Sequence, residues 1–164
     1  MRAFLLFAVL FNAAAFAQTY KSDEHSFRVV QVVKGLEQPW SLAFLPDGRM
    51  LVTEKAGRLR IVANGKLEPQ PIAGLPRVTV HGQGGLHDVI LDRAFADNNI
   101  VYFCYAEPAS GGARTALARA RLIAEGSPGL AEPTVIFRQE GQLSSGNHFG
   151  CRIVQAPDNT LFLS

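Results

Sequence analysis

Short apolar runs separated by turn residues make up most of the chain. The runs are rich in Val, Ile, Leu and Phe, the residues between them are Gly, Pro, Asp and Asn, and helical periodicity is nearly absent beyond the N-terminal run. The clearest series predicts strands at 41–44, 49–53 and 58–62, with turns at 46–48 and 56–57. This pattern is typical of an all-β protein.

The strand, turn, strand pattern returns twice further along the chain. Its second copy covers 86–91 and 100–105, and its third covers 152–155 and 160–163. Measured from Ser41 to Asp88 to Arg152, the steps between copies are 47 and then 64 residues. This spacing fits one four-stranded sheet per repeat, which is the blade of a β-propeller.

Blades of this kind are stable only as a ring, because a single sheet cannot bury both of its faces. A ring takes about four to eight blades. We therefore expect the 164 residues to be an N-terminal fragment of a longer protein, with about two blades and the start of a third. A sandwich of one β domain is the alternative interpretation of the same pattern.

The N-terminus predicts export from the cytoplasm. A basic residue precedes an apolar run that ends in small residues at Ala15 and Ala17, as in a secretory signal peptide. The run is too short for a stable membrane span. We expect residues 1–17 to be a signal peptide and 18–164 to belong to the propeller domain. The mature protein would then be periplasmic or secreted, with no membrane span.

Charge and cysteine content narrow the possible partners. The formal net charge is +2 and charged side chains are spread singly, so no basic stripe is available to bind nucleic acid. No spacing of Cys or His matches a metal site. Cys104 and Cys151 either form a disulfide or are small buried apolar side chains, and the sequence leaves both readings open.

Two predicted strand entrances carry polar side chains among glycines. The segment 81–88 contains Gln83, the segment 146–152 contains His148, and the two occupy equivalent points of successive repeats. We expect both side chains to face one pocket, where an amide donates and accepts hydrogen bonds and an imidazole takes a proton near neutral pH. The glycines would let a flat ligand approach His148. A lone histidine is also common as an ordinary polar residue at a strand entrance.

Three segments together resemble one family of enzymes. The segments 35–48, 82–86 and 146–150 are similar to those of the soluble PQQ-dependent sugar dehydrogenases, most of all the aldose sugar dehydrogenase branch of the glucose/sorbosone dehydrogenase family. The resemblance extends over 29–164. It implies a six-bladed β-propeller with pyrroloquinoline quinone (PQQ) over the channel entrance.

The resemblance also implies roles for individual residues. His148 looks like the general base that removes the hydroxyl proton at the anomeric carbon of an aldose while hydride passes to the quinone, which yields a lactone. Gln83 would lie beside cofactor and substrate, and His148 would also contact the cofactor. Asn147 would contact the sugar. The implied cofactors are PQQ and Ca²⁺, and an external acceptor would take the electrons.

The chain departs from the family pattern at three positions. Asn147 stands where the glucose dehydrogenase branch has an aspartate, Cys151 where a glycine is expected, and His87 where leucine is more usual. The family's basic residues that hold the PQQ carboxylates, and its calcium loop, come from later blades. We therefore expect the 164 residues alone to be inactive.

Several residues have a structural interpretation, and other functions remain open. Trp40 is expected to pack between blades, Asp88 to bind backbone at a strand start, and Arg152 to anchor loops. A non-catalytic propeller that binds carbohydrate or protein is the main alternative, because fold does not determine function. A propeller hydrolase or lactonase would need a cage of carboxylates, which the entrance segments lack.

Overall fold

The computed structural model describes residues 19–124, 126–142 and 144–164. These belong to two compact units, which divide between Val32 and Val33. The predicted signal peptide lies outside the described residues. Every strand pairing among the described residues is antiparallel, apart from one isolated bridge. In this part of the chain no helix is long and apolar enough to cross a membrane.

The first unit contains one small hairpin. Its strands are β1, Thr19–Lys21, and β2, Ser26–Arg28, and both are exposed along their length. The rings of Tyr20 and Phe27 stack with their centroids 5.7 Å apart. Such stacking of an opposed aromatic pair stabilises a short hairpin.

The second unit consists of three antiparallel sheets. The first sheet has four strands in chain order: β3 Pro39–Phe44, β4 Met50–Glu54, β5 Arg58–Ala63 and β6 Lys66–Leu67. The second also has four: β7 Leu86–Leu91, β8 Ile100–Ala109, β9 Gly112–Ile123 and β10 Gly129–Arg138. The third is the hairpin of β11 Ile153–Gln155 and β12 Leu161–Leu163.

Two four-stranded sheets are followed by the opening hairpin of a third. This confirms the predicted all-β class and the prediction of about two propeller blades and the start of a third. Each predicted hairpin is present. Its strand ends lie within two residues of the prediction, except that β8 continues to Ala109, four residues beyond the predicted end. The connection between β7 and β8 contains a short helix, α1, Phe95–Asn98. Asn99 ends this helix in the left-handed conformation at φ 54°, which asparagine tolerates better than most residues.

The last two strands of the second sheet, β9 and β10, were not predicted. Strand β9 alternates alanine with arginine, and both are good helix formers that give no β-strand signal. Strand β10 contains Pro133 and is irregular there, with Glu132 at φ 55°. Proline normally argues against a strand, but it is tolerated at a bulge on a strand with one free edge.

The apolar core lies between successive sheets. One cluster joins the first two sheets and contains Leu51, Ile61, Val89 and Phe103, all of them buried. Because side chains of a strand alternate between its two faces, the opposite face of the second sheet packs on the third hairpin. That second cluster contains Cys104, Leu117, Cys151 and Ile153.

Arg60 of β5 is a buried arginine. Only 9% of it is exposed, and its guanidinium lies 3.3 Å from Glu54 Oε2. Burial raises the pKa of the Glu54 carboxyl, but hydrogen bonds from the Glu37 N–H and from Arg58 outweigh this and lower the pKa overall. The buried carboxylate therefore stays ionised and neutralises Arg60.

A second buried carboxylate, that of Asp88, ties the three sheets together. Asp88 lies on β7 and is 1% exposed. Its Oδ1 accepts hydrogen bonds from Ser41 Oγ of β3 at 2.5 Å and from Arg152 Nη1 at 3.1 Å, and its Oδ2 accepts one from the Ile153 N–H of β11 at 2.8 Å. One side chain thus joins the first strand of each sheet. The prediction that Asp88 binds backbone at a strand start is confirmed.

We predict that Asp88→Asn lowers the free energy of unfolding by about 2–3 kcal/mol. The amide removes the charge that pairs with Arg152, and its NH₂ group replaces one of two oxygens that now accept hydrogen bonds. Urea unfolding checks this. Asp158→Asn is the matched control, because that exposed carboxylate accepts its bonds from Thr160 within its own turn. Equal unfolding midpoints for the two variants would contradict the prediction.

Candidate active site

The two glycine-containing entrance loops contact each other directly. The Gln83 N–H donates to the Gly146 carbonyl at 2.7 Å. In return, the His148 N–H donates to Gln83 Oε1 at 2.8 Å. Gln83 and His148, which are 65 residues apart in sequence, are therefore brought to one place by a pair of hydrogen bonds.

Gly82 and Gly146 allow this close approach. Both have positive φ, at 57° and 72°. A Cβ on Gly82 would collide with the Gly146 carbonyl oxygen, and a Cβ on Gly146 would collide with the His81 ring. Each loop fills the space beside the glycine of the other loop. The two glycines therefore serve contact between the loops rather than access for a flat ligand.

His148 presents its side chain to solvent from a fixed backbone. The residue is exposed, while its neighbour Phe149 is buried at 4% exposure. His148 has φ 65°, a left-handed conformation that its hydrogen bond to Gln83 helps to hold. It borders an open cavity of about 240 Å³ that Thr115, Phe137 and Leu163 also line.

Asn147 and Gln83 are exposed beside His148. The Asn147 N–H lies 3.4 Å from Ser145 Oγ, so its local turn is held weakly. Gln83 uses its amide oxygen on the His148 backbone, which leaves its amide nitrogen as a donor for a ligand. The three predicted site residues thus offer a base and amide groups on one surface.

Beneath this surface lies His87, which is only 2% exposed. Its Nε2 is 2.9 Å from the Gln83 carbonyl oxygen, and its Nδ1 has no hydrogen-bond partner among the described residues. The His87 ring packs between those of Trp40 and Phe149, with centroids 5.3 and 6.1 Å away. A neutral ring with its proton on Nε2 satisfies this environment, so His87 supports the Gln83 loop from below.

Burial is the main reason that the pKa of His87 lies below its usual 6.5. The hydrogen bond to the Gln83 carbonyl raises the pKa slightly, and the nearby charge of Lys55 lowers it. Lys55 also donates from Nζ to the Gly82 carbonyl at 2.6 Å, which links the first sheet to the same loop. No sequence signal pointed to Lys55, because it lies in an ordinary turn.

Trp40 and Arg152 complete the inner side of the site. The guanidinium of Arg152 lies 5.2 Å from the centre of the Trp40 ring and 3.1 Å from Asp88. Trp40 contacts residues of the second and third sheets, as expected, but 40% of it remains exposed. Arg152 anchors its loop in the expected way, through an ion pair and a cation–π contact.

Cys104 and Cys151 form a disulfide, which answers the question that the sequence left open. Their Cα atoms are 5.8 Å apart, and both residues are completely buried. The bond joins the middle of β8 to the loop that carries His148. Among the described residues no group of three or more His, Cys, Asp and Glu side chains could hold a metal ion.

A sequence profile describing Glucose / Sorbosone dehydrogenase matches residues 36–164 of this chain. The chain belongs to the glucose/sorbosone dehydrogenase family. The matched range includes both entrance loops and all three sheets of the second unit. The family resemblance predicted from the three sequence segments is therefore confirmed.

Individual family members give the same result. Aldose sugar dehydrogenase YliI of Escherichia coli (strain K12) is 42% identical over 134 residues, 79% of this chain and 35% of the relative. A crystal structure of a glucose dehydrogenase superposes with a TM-score of 0.77 at 45% identity and covers 82% of this chain and 40% of that one. The PQQ-bound form of an aldose sugar dehydrogenase from Streptomyces coelicolor has a TM-score of 0.70 at 26% identity, covering 81% and 39%.

The chain spans only part of its relatives. It covers 36% of an uncharacterised protein of Synechocystis, to which it is 40% identical, and 35% of the E. coli enzyme. The two four-stranded sheets and the third hairpin therefore correspond to somewhat more than a third of these family members.

We predict that His87→Leu makes folding less sensitive to acid. The folded pKa of His87 is below 6.5, so as the pH falls below about 6.5 the unfolded chain binds a proton that the folded chain does not. The stabilising effect of the neutral ring is complete above that pH and declines as the pH falls towards the folded pKa. Urea midpoints at about pH 7 and about pH 5.5 should therefore differ less for His87→Leu than for the parent chain.

His25→Leu is the matched control, because His25 is exposed in the first unit. Its midpoints should shift with pH as much as those of the parent. An unchanged pH dependence in His87→Leu would show that the buried ring does not govern this acid response.

Proposed function

We propose that the protein carrying this chain oxidises aldose sugars at the anomeric carbon to lactones, with PQQ as cofactor and His148 as the general base. The observation that carries the proposal is the pairing of Gln83 and His148 at adjacent strand entrances, in a chain of this dehydrogenase family. A binding module needs no titratable group at that point.

The residues present are compatible with a quinone cofactor and a sugar. Gln83 is exposed and uses its amide oxygen in the loop contact, which leaves its NH₂ group as a donor, and His148 is exposed. Such donors suit carbonyl and hydroxyl oxygens. When bound, PQQ supplies the group that accepts hydride, which no protein side chain can do. We place Gln83 and His148 beside PQQ, and Gln83 and Asn147 beside the sugar.

His148 would accept the proton of the C1 hydroxyl while the hydrogen on C1 leaves as hydride and the C–O bond becomes a carbonyl. This role requires a neutral imidazole within hydrogen-bond distance of the hydroxyl. The ring is exposed, and its backbone is held by Gln83 Oε1 at 2.8 Å. A base held in place before the substrate arrives does not need to be ordered during the reaction.

Ca²⁺ is part of the same proposal, but we assign it no role in a step carried out by residues of this chain. The described residues contain no cluster of ligands for a metal ion. The family resemblance implies a calcium loop in later blades, and we propose the calcium site there. We likewise propose an external electron acceptor, which would reoxidise the cofactor after each turnover.

We further propose that the protein is exported, with residues 1–17 as its signal peptide and 18–164 as part of the propeller domain. The disulfide between Cys104 and Cys151 supports this proposal, because disulfides persist in oxidising compartments such as the periplasm. The basic residue and short apolar run at the N-terminus support it independently.

We predict that the full-length protein, given PQQ and Ca²⁺, reduces a redox dye when an aldose is added. His148→Ala should lower kcat at least about 100-fold, because a positioned general base typically contributes that much. His25→Ala is the control histidine and should retain parental activity, since it is exposed in the first unit. Dye reduction is followed with a panel of aldoses, with and without each cofactor.

Two results would contradict the proposal. One is the absence of sugar-dependent dye reduction in the fully loaded protein, especially if sugars still bind by calorimetry, which would favour a non-catalytic propeller. The other is parental kcat in His148→Ala, which would leave the fold and family intact but remove the base.

A further inference from the structure

The loop that carries His148 has an unusual backbone. His148, Gly150 and Cys151 have φ values of 65°, 62° and 88°, so three of four successive residues are in the left-handed region. For a residue with a Cβ, this region is energetically unfavourable relative to ordinary backbone. Glycine would adopt it freely, yet position 151 is a completely buried cysteine.

Non-covalent contacts hold the first part of this loop. The His148 N–H donates to Gln83 Oε1 at 2.8 Å, and the Phe149 carbonyl accepts from Thr115 Oγ1 at 2.7 Å. Thr115 lies on β9, in the middle of the second sheet. These two bonds hold the chain as far as Phe149.

The disulfide is one of the contacts that hold the chain after Gly150, beside the hydrogen bonds of Arg152 and Ile153 to Asp88. Cys104 is a completely buried residue of β8, where it pairs with Leu117 in the ladder, so its position is set by the sheet. Cys151 is bonded to it from the left-handed conformation, and its N–H donates to the Ser164 carbonyl. The chain between the base and the third sheet is thereby attached to the second sheet by a covalent bond.

We propose that the Cys104–Cys151 disulfide positions His148 for proton transfer, by holding a residue other than glycine in the left-handed conformation that this loop requires. The proposal rests on the proposed function of His148. A disulfide that only stabilised the fold would act on the unfolded state and leave the arrangement of the site unchanged. The positioning role instead predicts a local change at residues 146–151 when the bond is absent.

Two variants of the full-length protein separate these roles. Cys104→Ala removes the cross-link and leaves Cys151 with its Cβ in the left-handed conformation. Cys104→Ala combined with Cys151→Gly removes the same cross-link but permits that conformation without a side chain. Both variants lack the bond, so both should have lower thermal stability than the parent.

The two variants should differ at the site. We expect Cys104→Ala to lower kcat about tenfold or more with a smaller change in KM, because a displaced base impairs the reaction more than it impairs binding. The double variant should recover most of the parental kcat while remaining thermally destabilised. Val52→Ala, which opens a cavity in the first sheet away from the loop, is the control for loss of stability alone and should keep parental kcat.

A second measurement needs neither substrate nor cofactor. Amide hydrogen exchange of the apo protein, read by mass spectrometry on peptides covering 144–152, should accelerate in Cys104→Ala and slow again in the double variant. Should Cys104→Ala not fold, the parent protein reduced with a phosphine, with thiols counted, takes its place in both measurements.

The outcomes keep the two proposals apart. Parental kcat and parental exchange in Cys104→Ala, or equal losses in the single and double variants, would overturn the positioning role. If no variant or parent shows sugar-dependent activity, the proposed function fails, and the exchange comparison still decides whether the disulfide orders the loop.

Discussion

The arrangement of the three sheets depends on one buried carboxylate, that of Asp88. It accepts hydrogen bonds from Ser41 of the first sheet and from Ile153 of the third, while it lies on the first strand of the second. A buried carboxylate is tolerated only when its charge and lone pairs are satisfied. The first strands of the sheets are therefore held in one register, and His148, five residues before Ile153, inherits its place from that register.

A second carboxylate that joins two sheets lies at the other end of β7. Asp92 accepts from Tyr102 Oη at 2.8 Å and from Gln155 Nε2 at 3.1 Å, so it joins the second sheet to the third hairpin. Burial raises the pKa of Asp92, but hydrogen bonds led by that from Asn98 lower it overall, so the carboxylate stays ionised. Two carboxylates, one near each end of a single strand, clamp the hairpin whose preceding loop carries the candidate base.

The repeated side-chain patterns predict the strands, whereas no such pattern predicts the contacts between loops. Recurrent apolar strands predicted the fold class, and equivalent places in two repeats singled out Gln83 and His148. Strand β9 was not predicted because its alanine and arginine residues favour helices. In the structure, tertiary packing overrides that preference. The contact of Lys55 with Gly82, and the pairing of Cys104 with Cys151, depend on the separation of chain segments, which no local pattern encodes.

The glycines of the entrance loops acquire a different meaning in the structure. Gly82 and Gly146 permit backbone contact between the loops, so their presence alone says nothing about a ligand. What distinguishes this end of the sheets is the set of groups that packing leaves unused, namely the His148 ring, the amide nitrogen of Gln83 and the side chain of Asn147. Neighbouring polar groups are committed to structure: Asp88 to three sheets, His87 to the Gln83 carbonyl, and Lys55 to Gly82. One set of polar groups thus fixes the backbone while another is exposed, and under the proposed function this would hold the base in place before a ligand arrives.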